Sequence, residues 1–92
     1  MRVLLTERFQ RDVRDLDDER RRAVFDAILN LPRAMGDPRV HAGLGIRKIH
    51  QSGIWEARVG LGLCLVFGLQ PDMLALVRVG SHEEVRRYLT EL

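Results

Sequence analysis

The sequence predicts an α+β fold in which an N-terminal strand and a helical hairpin pack on a curved antiparallel sheet, with a helix at the C-terminal end. Three observations carry that prediction. In Ile54-Trp55-Glu56-Ala57-Arg58-Val59 the odd positions are apolar and the even ones include a carboxylate and a guanidinium, the alternation expected of a strand with one buried face. Two apolar runs, Leu61 to Leu69 and Leu74 to Val79, flank Gln70-Pro71-Asp72, whose residue types make a turn and therefore a hairpin. Finally, Ser81-His82-Glu83-Glu84 has the S-x-x-E spacing of a capping box, which starts a helix directly where the last strand stops.

The other elements follow in order. Arg2 to Leu5 reads as a short strand, with Thr6 as the cap of a helix whose apolar stripe is Phe9, Val13 and Leu16. The charged residues between them, Arg8, Arg11, Asp12, Arg14 and Asp15, read as a solvated surface. A second helix opens at Asp17-Asp18-Glu19, where the helix dipole favours acids, and Asp17 with Arg21 and Asp18 with Arg22 stand at the spacing of i,i+4 ion pairs. Val24, Ile28 and Leu31 make its buried stripe, the Arg20-Arg21-Arg22 run reads as its solvated back, and Pro32 is expected to end it. So little separates the two helices that they must form a tight hairpin. Residues 33 to 45, with three glycines and Asp37-Pro38, read as a loop, and Ile46 to His50 as a strand joined through Gln51-Ser52-Gly53 to the strand at 54–59. Val85, Leu89 and Leu92 form the stripe of the last helix.

Ninety-two residues read as one domain spanning 1–92, enough for a single modest core. One cysteine, Cys64, lies in an apolar run and has no partner within the chain, which fits a reducing compartment. No apolar run reaches the length of a bilayer span and charges interrupt the first residues, so a cytoplasmic location is expected and a membrane is not. The net charge of +2 does not mark a general polyanion binder. Its composition is more telling: of 15 basic residues only Lys48 is lysine, and arginine is the better residue for bidentate phosphate contacts. Residues 37 to 60 carry four basic groups against two acidic ones and form the locally positive part of the chain.

Glu56, Arg58 and Arg78 fall on one face of the expected sheet, and His82 stands where its last strand ends, so these four are expected to converge; Lys48 and His41 can join from the neighbouring strand and loop. No H-x-x-x-H, C-x-x-C or glycine-rich nucleotide motif is present, so neither metal nor nucleotide cofactor is expected. Ser81, used as a cap, is not a nucleophile. A carboxylate, a histidine and several arginines can move protons and hold a phosphate, the minimum for cleavage of RNA by its own 2′-hydroxyl. The same groups fit a protein-binding sheet equally well.

The W-E-A-R-V strand, the element order and the ending V-R-V-G-S-H-E-E-V together resemble the RelE/ParE superfamily of bacterial toxins, and most closely its YafQ-like ribonucleases. The resemblance implies a small cytoplasmic toxin held inactive by a cognate antitoxin protein, which cuts mRNA on the ribosome without a metal or other cofactor. It also implies that His82 takes part in proton transfer, that Glu56 takes the place of a strand aspartate, and that Arg58 stands where relatives carry histidine or arginine. In that scheme the catalytic residues are His82 as proton donor, Glu56 as base and Arg58, while Arg78, Lys48, His41 and Tyr88 bind the substrate. Two departures separate this chain from the pattern: Leu63 or Cys64 occupies the place of a second arginine, and Arg86 that of an aromatic residue, with Tyr88 two positions on. The alternative within the superfamily is a ParE-like inhibitor of DNA gyrase, or a RelE-like binding protein that cuts nothing.

Overall fold

The computed structural model describes residues 2–35, 45–60 and 62–91. Strand β1 (Arg2–Leu5) leads into helices α1 (Glu7–Arg14) and α2 (Asp18–Ala34). Strands β2 (Arg47–His50), β3 (Ile54–Val59), β4 (Leu63–Gln70) and β5 (Met73–Ser81) come next, and helix α3 (His82–Thr90) closes the order. The five strands form one sheet in the spatial order β1-β5-β4-β3-β2. The last four make the expected antiparallel meander, whereas β1 joins beside β5 in parallel, with Leu5 opposite Leu76.

Alternation decides which face of each strand is buried by what. Ala57 and Val59 of β3, Leu65 and Phe67 of β4 and Leu74 and Leu76 of β5 meet Phe9 and Val13 of α1 and Val24, Ile28 and Leu31 of α2 in the main core. The helical hairpin thus covers one face of the sheet through its joint apolar stripe. The opposite face, which alternation leaves as the polar one, is itself half covered: α3 lays Val85 on Cys64 and Val66, with Ile49, Ile54, Val77, Tyr88 and Leu89 around them.

Both hairpin helices are capped, α1 by the Thr6 that the sequence names and α2 by Asp17, which stands just before the first turn and not in it. Thr6 Oγ1 accepts from the Phe9 N–H at 3.2 Å and lies 2.8 Å from the Leu76 carbonyl, which fastens α1 to β5. Asp17 caps α2 by accepting from the Arg20 N–H at 2.8 Å. The expected i,i+4 pairs do not form. Asp17 is held at the cap and pairs with Arg20, while Asp18 pairs with Arg21 at 3.1 Å. Arg21 also donates to the carbonyls of Val13, Arg14 and Leu16 at the end of α1, and so binds the two helices across their turn. Pro32 does not end α2. In the last turn a proline forfeits one hydrogen bond, and Leu31 and Ala34, both wholly buried, keep the turn in place until Ala34.

Two irregularities in the sheet decide which side chains stand beside Glu56 on the α3 face. Between Lys48 and His50 the β2–β3 register shifts, with Ile49 as the extra residue; between β4 and β5 the shift falls at Val77, so that Arg78 stands opposite Val66 while Leu76 stands opposite Phe67.

Candidate functional site

On the α3 side of the sheet a cleft of about 440 Å³ is lined by Gly45, Ile46, Arg47, Glu56, Arg58 and His82. That volume is in the range of small-ligand sites. Its floor is Glu56, the one charged residue among those described that is almost fully buried, at 4% exposure. Its Oε1 accepts from Arg47 Nε at 3.3 Å. Arg47 is itself largely exposed, so the pair joins a buried carboxylate to a guanidinium still free to meet an anion.

In the cleft the Arg58 guanidinium lies against Gly45. Gly45 adopts φ +59°, a conformation that suits glycine, and a Cβ there would collide with the Arg58 guanidinium. His82 is placed by the capping box: Ser81 Oγ accepts from the Glu84 N–H at 3.2 Å, and Glu84 Oε1 accepts from the Ser81 N–H at 3.1 Å. These bonds hold the Glu84 carboxyl below its usual range and fix His82 as the first residue of α3, exposed at the rim. Its Nδ1 lies 3.0 Å from the sulfur of buried Cys64. Burial, and secondarily the charge of Glu56, pushes the Cys64 thiol above its ordinary pKa. One helical turn on, Arg86 borders a smaller recess together with Arg47, Glu56 and His82 and extends the positive lining along α3.

Of the residues expected to meet, Glu56, Arg58 and His82 share this cleft, and Arg78, Tyr88 and Lys48 do not. Arg78 lies in the same row as Glu56, but Val66 intervenes, and two strand spacings make about 10 Å. Its guanidinium turns to the other edge of β5, where Nε meets Asp12 Oδ2 at 2.8 Å and Cζ sits 5.4 Å above the Tyr88 ring. Asp12 is accordingly no solvated surface residue. It also accepts from the Val79 N–H at 3.1 Å, beyond the point where short β1 stops covering β5.

Lys48 is displaced by the bulge. In a regular hairpin closed by residues 51–53, Lys48 would face Glu56; the extra residue at Ile49 moves Arg47 into that place and sets Lys48 opposite Trp55. Arg47 is therefore the residue that pattern reading misses, because nothing in Arg47-Lys48-Ile49-His50 announces a bulge. His50 is occupied in the turn, with Nδ1 accepting from the Ser52 N–H at 3.1 Å. His41 lies outside the described residues.

Solved structures similar to this one include a copper-bound mutant toxin from Helicobacter pylori, with a TM-score of 0.65 and 23% identity over 92% of this chain and 98% of that one. A chain of the RelB–RelE antitoxin–toxin complex of Methanococcus jannaschii gives 0.65 and 17% over 92% and 96% of the two chains. YafQ from Escherichia coli gives 0.60 and 18% over 92% and 98%. The chain has the RelE-like toxin fold. No family model and no curated protein sequence matches it.

Within the RelE-like fold of this chain, the cleft holds one carboxylate beside two arginines and an imidazole, an arrangement that attracts an anion and can exchange protons with it. Among the described residues no three His, Cys, Asp or Glu side chains group as ligands for a metal ion. No described helix is long and apolar enough to cross a membrane.

Proposed function

We propose that this chain is the toxin of a toxin–antitoxin pair and an endoribonuclease that cuts mRNA on the ribosome without a metal. The observation that carries the reading is the grouping of Glu56, Arg47, Arg58 and His82 around one cleft of a RelE-like fold. Glu56, paired with Arg47, takes the proton of a ribose 2′-hydroxyl. The freed oxygen attacks the adjacent phosphorus while the bond to the 5′ oxygen breaks, and His82 as imidazolium gives that oxygen its proton. The products are a 2′,3′-cyclic phosphate and a 5′-hydroxyl end. Arg58 and Arg47 neutralise the charge that develops on the non-bridging oxygens, which is where fixed cations lower the barrier most. Arg78, tied to Asp12, serves the fold, and Lys48 and Tyr88 contact RNA only outside this cleft.

An arginine-lined cleft needs covering in the cell. Structures of similar fold occur as the RelB–RelE and DinJ–YafQ complexes, which supports an antitoxin partner here, of acidic character and folding on the toxin as it binds.

Induced expression tests both parts. Growth should stop, transcripts should end in 2′,3′-cyclic phosphates within codons, and co-expression of a small protein encoded beside this chain should relieve the arrest. His82→Ala should abolish cutting, by about a hundredfold or more for a proton-transfer group. Arrest with intact mRNA and accumulating DNA breaks would instead assign a gyrase inhibitor. A healthy, high-yield culture with no neighbouring binder would remove the toxin reading altogether.

A further inference from the structure

The contact between His82 and Cys64 has no part in the cleavage steps themselves. Cys64 stands in the middle strand of the α3 face, between Arg58 on β3 and Gly80 on β5. It is 2% exposed, and its Sγ is 3.0 Å from His82 Nδ1. An imidazole has two nitrogens on opposite sides of the ring, and the bond that one makes fixes what the other presents. With Nδ1 turned down to the buried sulfur, Nε2 is left on the solvent side, where the ring lines the cleft with Glu56, Arg47 and Arg58.

We infer that Cys64 is a positioning residue for His82: its thiol holds the imidazole at Nδ1 and so presents Nε2 to the substrate. The thiol is suited to both states of the ring. While the ring is charged, Nδ1–H donates to a sulfur lone pair and Nε2–H is the proton on offer; once that proton is given up, the neutral ring keeps Nδ1–H on the sulfur. In the other neutral tautomer, with the proton on Nε2, the thiol that burial keeps protonated donates its S–H to Nδ1 instead. Neither state requires the ring to turn. The inference rests on the ribonuclease reading for its kinetic consequence, but not for its structural one.

Two variants separate the donor from the packing, since Cys64→Ala and Cys64→Ser both shrink the side chain and only serine restores an O–H. Nitrogen-15 NMR of the His82 ring is the structural readout. In the parent and in Cys64→Ser one ring conformer should be present, with Nδ1 shifted as a hydrogen-bond partner; in Cys64→Ala the ring should average between rotamers. The ring also lines the cleft and the recess beside it with Glu56 and Arg58 of β3, Arg47 of β2 and Arg86 of its own helix, and Glu83 and Glu84 follow it in the first turn. Its titration is therefore compared between variants and not read alone.

In cleavage assays kcat should fall roughly three- to tenfold in Cys64→Ala, the worth of one modest hydrogen bond, with KM unchanged and Cys64→Ser close to the parent. If the serine and alanine variants give the same ring signals, the inference is overturned. Rotamer averaging in the parent overturns it without any variant, should the alanine protein fail to fold. If the ring responds as expected but no protein cuts RNA, the ribonuclease reading fails and the positioning role stands.

Discussion

Glu56 is costly to keep where it is. A carboxylate at 4% exposure gives up most of its hydration, and a single guanidinium 3.3 Å away, itself in contact with water, returns only part of it. Core positions that disfavour folding in this way are typical of sites selected for activity over stability. Replacing Glu56 with Gln keeps the shape and removes the charge. The expected outcome is a loss of cleavage of about a hundredfold, together with a urea midpoint equal to or above that of the parent. A variant that cut RNA as well as the parent would take the base role from Glu56; one that was clearly less stable would mean that Arg47 compensates the burial in full.

At the scale of elements, two joints hold the site in place. The first is Asp12, which pairs with Arg78 and occupies the Val79 N–H where β1 leaves the edge of β5 open. Both side chains are mostly buried, so Asp12→Ala strands a charge and a backbone donor together. A loss of about 3 kcal/mol in urea unfolding is expected, with a smaller loss for Asp12→Asn, which can still accept from Val79. The second joint is the capping box. The Ser81 N–H and hydroxyl lower the pKa of Glu84 from its usual value of 4.5. Since the folded value is the lower one, this contribution is complete above about pH 4.5 and fades as the pH falls through the folded value. Glutamine at position 84 can still close the box but does not titrate. Between about pH 6 and about pH 3 the unfolding midpoint of Glu84→Gln should therefore fall less than that of the parent.

These joints also mark what the sequence could and could not announce. The alternation in β3 and the capping box are local signals, written in consecutive residues, and they put Glu56, Arg58 and His82 on the correct face and at the correct helix end. Arg47 and Asp12 depend on pairing instead. A bulge of one residue exchanges Arg47 for Lys48 without altering the alternation around it, and Asp12 finds a partner 66 residues away only because β1 is short. Pro32 shows the same thing in a helix, where burial of Leu31 and Ala34 outweighs a breaker near the end.

In the whole molecule stability is unevenly shared. The core under α1 and α2 draws on both helices and every strand except β1 and β2 for its buried members, whereas the core under α3 has three buried residues, Cys64, Val66 and Val85. Nine residues are too few for a helix to persist alone, so α3 depends on that small core and its cap. Hydrogen exchange should therefore protect the amides of β4 by several kcal/mol more than those of α3, and the α3 amides should exchange as a group. Equal protection would show one cooperative unit. The helix that carries His82 would then be as firmly held as the strand that carries Cys64.

Ser81 is at once the last residue of β5 and the cap of α3, so no spacer separates sheet from helix. Strand and helix advance their side chains at different angles, about 180° and about 100° per residue, and at this junction nothing can absorb an error of phase. One residue added between Ser81 and His82 would force a choice. If Val85 kept its seat on the sheet the cap would break, and if the cap held, the imidazole and the apolar stripe would both swing by about a third of a turn. Substitutions at Glu83, whose side chain is exposed, leave that angle untouched. Across proteins built this way, the junction should therefore tolerate changes of letter far better than changes of length.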